Sequence, residues 1–186
     1  MQALLIIDVQ NDYFPGGRME LTGAVEALAA IRRVLTRFRE QGRPVIFVRH
    51  VNTRPGAAFF LPGTEGEHIR SEIAPREGES VVVKHAPDSF YRTNLAELIH
   101  VRGIDSLLVC GMMTHMCVDT TVRAAMTYGL PVTLMSDGCA TRDLEYGGKL
   151  LPAMDIQEAF LAAMNGIFAT VLTSEQVLRD EKSSEL

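Results

Sequence analysis

Residues 106–138 read SLLVCGMMTHMCVDTTVRAAMTYGLPVTLMSDG, and the pattern changes twice along them. SLLVCG is apolar at consecutive positions, as a strand covered on both faces is. CVDTTVRAAMTYG spaces its apolar residues by threes and fours and stops at Gly129, the usual end of a helix. PVTLMSDG then returns to an apolar run. Strand, helix and strand in that order predict a right-handed crossover between parallel neighbours.

The same alternation extends to both ends of the chain. Apolar, β-branched runs also stand at ALLIIDV, PVIFVRH, SVVVKH and ATVLT. Helical spacing recurs at AVEALAAIRRVLTRFREQG, NLAELIHVRG and DIQEAFLAAMNG. Six runs separated by helices predict an α/β fold, a doubly wound, mainly parallel, Rossmann-like sheet of about six strands with helices on both faces. No repeat, linker or low-complexity segment divides the chain, so residues 1–186 are expected to form a single domain. Residues 51–79 break the rhythm. Long and rich in Gly and Pro, they are expected to shape a pocket wall. The polar tail RDEKSSEL, from residue 179, is expected to fray.

The totals narrow the function classes. A chain of 186 residues with 47% hydrophobic and 22% charged residues can bury a substantial core. A net charge of −5 with no basic run argues against nucleic acid or an anionic membrane as partner. No apolar stretch reaches the ~18 residues of a membrane span. The start, MQALLIIDVQNDYF, lacks the basic segment and cleavage site of a signal peptide, so a cytoplasmic protein is expected. Three cysteines without a CxxC pair argue against both a disulfide framework and a thiolate zinc site.

In an open α/β sheet ligands bind beyond the carboxyl ends of the strands. The first run stops at Asp8, the second at His50, the third at Lys84, the fourth at Gly111 shortly before Cys117, and the fifth at Asp137. Asp8, Lys84 and Cys117 form a chemically coherent set. A cysteine at a helix start has its thiolate favoured by the helix N–H groups, and a lysine ammonium acts in the same direction. A carboxylate can take the thiol proton as general base. Backbone N–H groups in the turn between Gly111 and Cys117 can face a developing oxyanion. Cys110 lies inside its apolar run, where a thiol is packing. On the residues alone, a core-filling role for Cys117, a turn-capping Asp8 and a solvated Lys84 stay open.

LLIIDVQNDYF, VVVKHAPDSFY and VCGMMTHMCVDTTVRAAMTYGLPVTLMSDGCAT together resemble the isochorismatase-like cysteine hydrolases. The resemblance runs in order from about Ala3 to Thr141, and GMMTHMCVDTT is its most specific part. It implies the doubly wound sheet and a catalytic triad of Asp8, Lys84 and Cys117. It further implies thiolate attack on a carbonyl, a thioester acyl-enzyme and release by water. A non-proline cis peptide is implied between Met112 and Met113, aiming the N–H groups of Met113 and Cys117 at the oxyanion.

The reactions of such a family divide between hydrolysis of amide-type C–N bonds and vinyl-ether hydrolysis of isochorismate. A cysteine nucleophile favours the first, since ether cleavage by protonation needs none. The expected activity is therefore that of a cysteine hydrolase cleaving a C–N bond, other than a peptide bond, in a small carbonyl compound. Vinyl-ether hydrolysis and a non-catalytic small-molecule-binding or scaffold role remain alternatives. Nicotinamidase-type members also bind a metal through Asp and His residues after the second strand. Here that region supplies His50 and His68 but no Asp-x-His pair, so no metal or cofactor is expected. The resemblance also implies a homodimer or homotetramer.

Gln10 is expected to border the substrate and, with Asn11, to orient Asp8 or Lys84. Phe14, Phe59, Phe60, Phe90 and Tyr91 are expected in the pocket wall, because aromatic side chains suit a small planar carbonyl compound, and His115 is expected to contact substrate or donate to a leaving group, with a capping or surface role as its alternative. For each of the aromatics, ordinary core packing is the competing reading. Two other classes fit less well. A dinucleotide site needs a glycine-rich turn after the first strand, and DVQNDYF offers none. A phosphoacceptor signalling domain would carry its lysine after a late strand, whereas Lys84 follows the third run.

Overall fold

The computed structural model describes residues 1–183, with side chains through residue 179. All six predicted runs are strands of one sheet: β1 (Gln2–Ile7), β2 (Val45–His50), β3 (Ser80–Lys84), β4 (Ser106–Met112), β5 (Val132–Ala140) and β8 (Thr170–Leu172). Their order is β3-β2-β1-β4-β5-β8, and every neighbouring pair is parallel. The helices are α1 (Ala24–Glu40), α2 (Leu95–Val101), α3 (Asp119–Thr127), α4 (Ala153–Met164) and α5 (Ser174–Ser183).

The consecutive apolar pattern has the cause inferred for it. Ala3 to Ile7 are at most 1% exposed, and successive side chains enter two different cores. Leu4 and Ile6 belong to one core with Leu28, Ile31 and Phe38 of α1 and Val177 of α5. Ala3, Leu5 and Ile7 belong to the other core, with Leu95 and Ile99 of α2, Val122 of α3 and Met164 of α4. Burying each Leu or Ile of β1 is worth ~1.5–3 kcal/mol, so both faces of β1 hold the layers together.

Two elements were not foreseen. A hairpin of β6 (Leu144–Tyr146) and β7 (Lys149–Leu151) stands outside the main sheet. Helix α5 is the second, and it runs into the tail expected to fray: of the residues from 179, 179–183 belong to this helix, and 184–186 lie outside the described residues.

The topology fixes where a ligand can bind. The chain moves outward from β1 to β3, returns, and moves outward the other way from β4 to β8. The two directions part between β1 and β4, so the carboxyl ends of these strands open the crevice. At Gly111 a Cβ would stand 2.0 Å from the Ile7 carbonyl oxygen, and φ is +129°, so this approach of β4 to β1 requires glycine. The pairing of β4 with β5 slips between Val109 and Gly111, which bends the strand end as it enters the crevice.

Candidate active site

Three chain segments deliver the predicted trio to one point. Asp8 directly follows β1 in a left-handed conformation, φ +52°, with its N–H bonded to the Val48 carbonyl at 3.0 Å. Lys84 is the last residue of β3, and its Nζ stands 2.7 Å from Asp8 Oδ2. Cys117 lies in a single π-helical turn, Thr114–Val118, that leads from β4 into α3. The Met112–Met113 bond before that turn is cis. Asp8, Lys84 and Cys117 are 0%, 1% and 5% exposed, so their charges interact with little screening by water.

The electrostatics differ from the helix-start argument in one respect. Burial, and then the Asp8 carboxylate, push the Cys117 thiol up to about 12, against the pull of the Lys84 ammonium. The resting nucleophile is thus a thiol, because desolvation outweighs the nearby cation. For Lys84, burial works against the charged form, but Asp8 and then Cys117 overcome it and raise the pKa. Lys84 is therefore an ammonium and Cys117 a thiol in the resting state. The Lys84–Asp8 approach is close but off the hydrogen-bond direction, and neither Asp8 oxygen receives a directed hydrogen bond among the described residues. That leaves the carboxylate able to accept a proton.

His50, the last residue of β2, completes the cluster. One donor atom each of Asp8, His50 and Cys117 lie within 4.8 Å of one another. Lys84 Nζ is 3.1 Å from His50 Nδ1 and is further bonded to the Ala86 and Pro87 carbonyls at 3.1 and 3.3 Å. An ammonium can only donate, so His50 accepts at Nδ1 and a neutral ring carries its proton on Nε2. Burial, followed by the Lys84 charge, lowers the His50 pKa to about 4, which keeps the ring neutral.

Cys117 opens on a cavity of about 220 Å³. At ~30 Å³ per water this holds about seven waters, which limits it to a small ligand. Tyr13, Phe59 and Met116 form apolar walls, with Met113 and Pro87 beside the cysteine. His50, Asn52 and Arg54 supply the polar side. Burial is the main reason the Tyr13 hydroxyl titrates well above its ordinary range, so it stays protonated.

Several residues expected in the wall belong elsewhere. Gln10 is fully buried, and its amide is used up by backbone partners: Nε2 donates to the carbonyls of His50 and Glu67, and Oε1 accepts from the His50 N–H. Phe14 packs in the α1-side core under Arg70, and Phe60 lies behind the wall with its ring 4.5 Å from Tyr13. Phe90 is stacked on Tyr128 at 4.4 Å, and Tyr91 points to solvent, 52% exposed. His115 is hydrogen-bonded to Thr141 and meets the edge of Phe160. An aromatic residue has one sequence signature for a wall and for a core, so these assignments needed the fold. Asn52 and Arg54 were missed because nothing local marks which loop residues border the cavity.

The cluster does not fit a resident metal ion. Among the described residues, Asp8, His50 and Cys117 are the group with metal-ligand spacing, and the Lys84 ammonium already stands against two of them. His68 is instead paired with Glu65 at 3.2 Å on the outer loop.

Residues 2–176 match the model of the isochorismatase domain. The chain belongs to the isochorismatase family. It is 45% identical over 177 residues to the uncharacterised isochorismatase family protein YddQ of Bacillus subtilis, covering 95% of this chain and 98% of that one. The solved isochorismatase structure from Pseudomonas putida superposes with a TM-score of 0.89 at 39% identity, covering 94% and 89% of the two chains. N-carbamoylsarcosine amidase from Thermoplasma acidophilum superposes with a TM-score of 0.79 at 27% identity, covering 93% and 96%. Isochorismatase-family hydrolases thus include amidohydrolases. No helix among the described residues of this family member is long and apolar enough to cross a membrane.

Proposed function

We propose that the protein is a cysteine hydrolase that cleaves an amide-type C–N bond in a small molecule through a thioester. The observation that carries this reading is the convergence of a buried thiol, a carboxylate and an ammonium, with the thiol opening on a small cavity. The likeness to N-carbamoylsarcosine amidase supports it.

The thiol proton passes to Asp8 as Cys117 Sγ attacks the substrate carbonyl carbon. The carbonyl electron pair moves onto oxygen, which the N–H groups of Met113 and Cys117 receive. Collapse of this intermediate breaks the C–N bond, and the Asp8 carboxylic acid protonates the departing amine. A water then attacks the thioester, giving its proton to Asp8. Cys117 leaves as thiolate and regains that proton. Lys84 pairs with the Asp8 side chain between steps and orients it, while the neutral His50 ring offers Nε2–H to substrate or water. Three reduced thiols suit a reducing compartment such as the cytoplasm.

A screen of small primary amides, ureido compounds and carbamoyl amino acids, read by ammonia release, tests this. At least one class should be turned over, Cys117→Ser should be inactive, and a slowly turned-over substrate should leave an acyl mass on Cys117 that hydroxylamine removes. Turnover of isochorismate that survives Cys117→Ser, with no ammonia from any amide, would establish vinyl-ether hydrolysis instead.

A further inference from the structure

We propose that the substrate carries a carboxylate at the end away from its scissile carbonyl, and that Arg54 anchors it with help from Asn52. This rests on Cys117 being the nucleophile, which fixes where the scissile carbonyl lies.

The cavity wall is uneven in charge. Arg54 is its one formally charged residue, and no Asp or Glu lines it. Among the described residues, no carboxylate pairs with the Arg54 guanidinium and no side-chain hydrogen bond holds it. Arg39, Arg70 and Arg123, by contrast, each grip a Glu or Asp. The charge of Arg54 is felt at His50, so it acts on the reacting end of the cavity from the rim.

Asn52 presents the second half of the anchor. Its Oδ1 accepts the Arg54 backbone N–H at 3.3 Å, which turns the acceptor toward its own loop. The side-chain NH₂ then remains as a donor on a residue that lines the cavity. The loop is held at its base by the Asn52 N–H, which donates to the Phe60 carbonyl at 2.8 Å. A guanidinium and an amide NH₂ are donors only, and together they match the two oxygens of a carboxylate. A cationic substrate would meet Arg54 with no compensating anion in the wall. A neutral one would leave these donors unpaired when it displaced their water.

Three matched primary amides test the assignment: succinamate, butyramide and 4-aminobutanamide, whose far ends are anionic, neutral and cationic. Wild-type kcat/KM should favour succinamate over butyramide roughly 10- to 100-fold, the range of one charge-assisted pair, with 4-aminobutanamide the poorest. Arg54→Gln should bring the succinamate-to-butyramide ratio near one through KM, and Arg54→Lys should keep part of it. Arg54→Glu should reverse the order so that 4-aminobutanamide leads, a gain that a misfolded variant cannot show. The anchor is refuted if wild type shows no preference, or if the preference survives Arg54→Gln. Loss of the preference in Arg142→Gln alone would equally refute it, because the Arg142 charge reaches Tyr13 and His115 from outside the cavity wall.

Protection of Cys117 from iodoacetamide separates this proposal from the reaction itself. If no amide is hydrolysed but succinamate protects Cys117 better than butyramide, and only with Arg54 present, the anchor stands and the amidase reading falls. If amides are hydrolysed without any dependence on Arg54, the amidase reading stands and the anchor falls.

Discussion

The side-chain amide of Gln10 pairs with the backbone of His50 as a neighbouring strand would. Nε2 donates to the His50 carbonyl at 2.8 Å, and Oε1 accepts the His50 N–H at 2.8 Å. A third bond, Nε2 to the Glu67 carbonyl at 2.7 Å, ties the outer loop to the same point. One buried side chain thus fixes the direction in which β2 hands His50 to the site. Gln10→Ala should lower stability by roughly 2–4 kcal/mol, since it strands buried backbone groups. Gln10→Glu should also destabilise, because a carboxylate accepts but cannot make the two donations. Urea unfolding measures both, and a loss below ~0.5 kcal/mol would mean that water replaces the amide.

Asp8→Asn should reduce turnover by ~10²–10⁴-fold, the usual span for a positioned general base. It should also slow alkylation of Cys117. In the wild type, iodoacetamide should modify Cys117 before Cys110 or Cys139, which are also buried but lie away from the carboxylate and outside this cavity. Burial holds the Cys139 thiol at about 12 as well, so a difference in rate isolates the effect of Asp8 and access rather than resting pKa. Peptide mass spectrometry after timed labelling reads all three sites. Equal rates would remove Cys117 from the mechanism.

Lys84→Met leaves the fully buried Asp8 carboxylate without its cation and should cost about 3–5 kcal/mol. Adding Asp8→Asn to Lys84→Met should recover much of that loss, because no buried charge then remains. A double-mutant cycle by denaturant titration gives the coupling directly. Additive effects would show that the 2.7 Å pair is energetically idle.

His50 makes stability depend on acid. Its folded pKa of about 4 lies below the ordinary 6.5, so the unfolded chain binds a proton that the folded chain refuses. Stability from this group is therefore fully present above about pH 6.5 and is lost as pH falls toward 4. His50→Gln should flatten the pH dependence of unfolding in that window. An unchanged slope would place the acid sensitivity in other groups.

The sheet was legible because parallel strands buried on both faces read as unbroken apolar runs, and Ala3 to Ile7 show why. Asp8, Lys84 and Cys117 were legible because strand ends can be located from where those runs stop. The hairpin of β6 and β7 was not, since three residues per strand carry too little pattern to register. The role of Gln10 escaped for a different reason. Its partners, His50 and Glu67, are 40 and 57 residues away, and only the folded chain brings their carbonyls to it. The titration of Cys117 was misjudged because a helix start is visible in sequence while desolvation is a property of everything packed around it.

The site draws its parts from two kinds of chain. Asp8, Lys84 and the turn to Cys117 are locked to the sheet, where even a methyl group at Gly111 collides with β1. Asn52, Arg54 and Phe59 all come from one connecting segment, between β2 and β3, that supplies no member of the trio. Transplanting that segment between relatives would exchange their substrate preferences as a cassette, with the bond-breaking apparatus left in place.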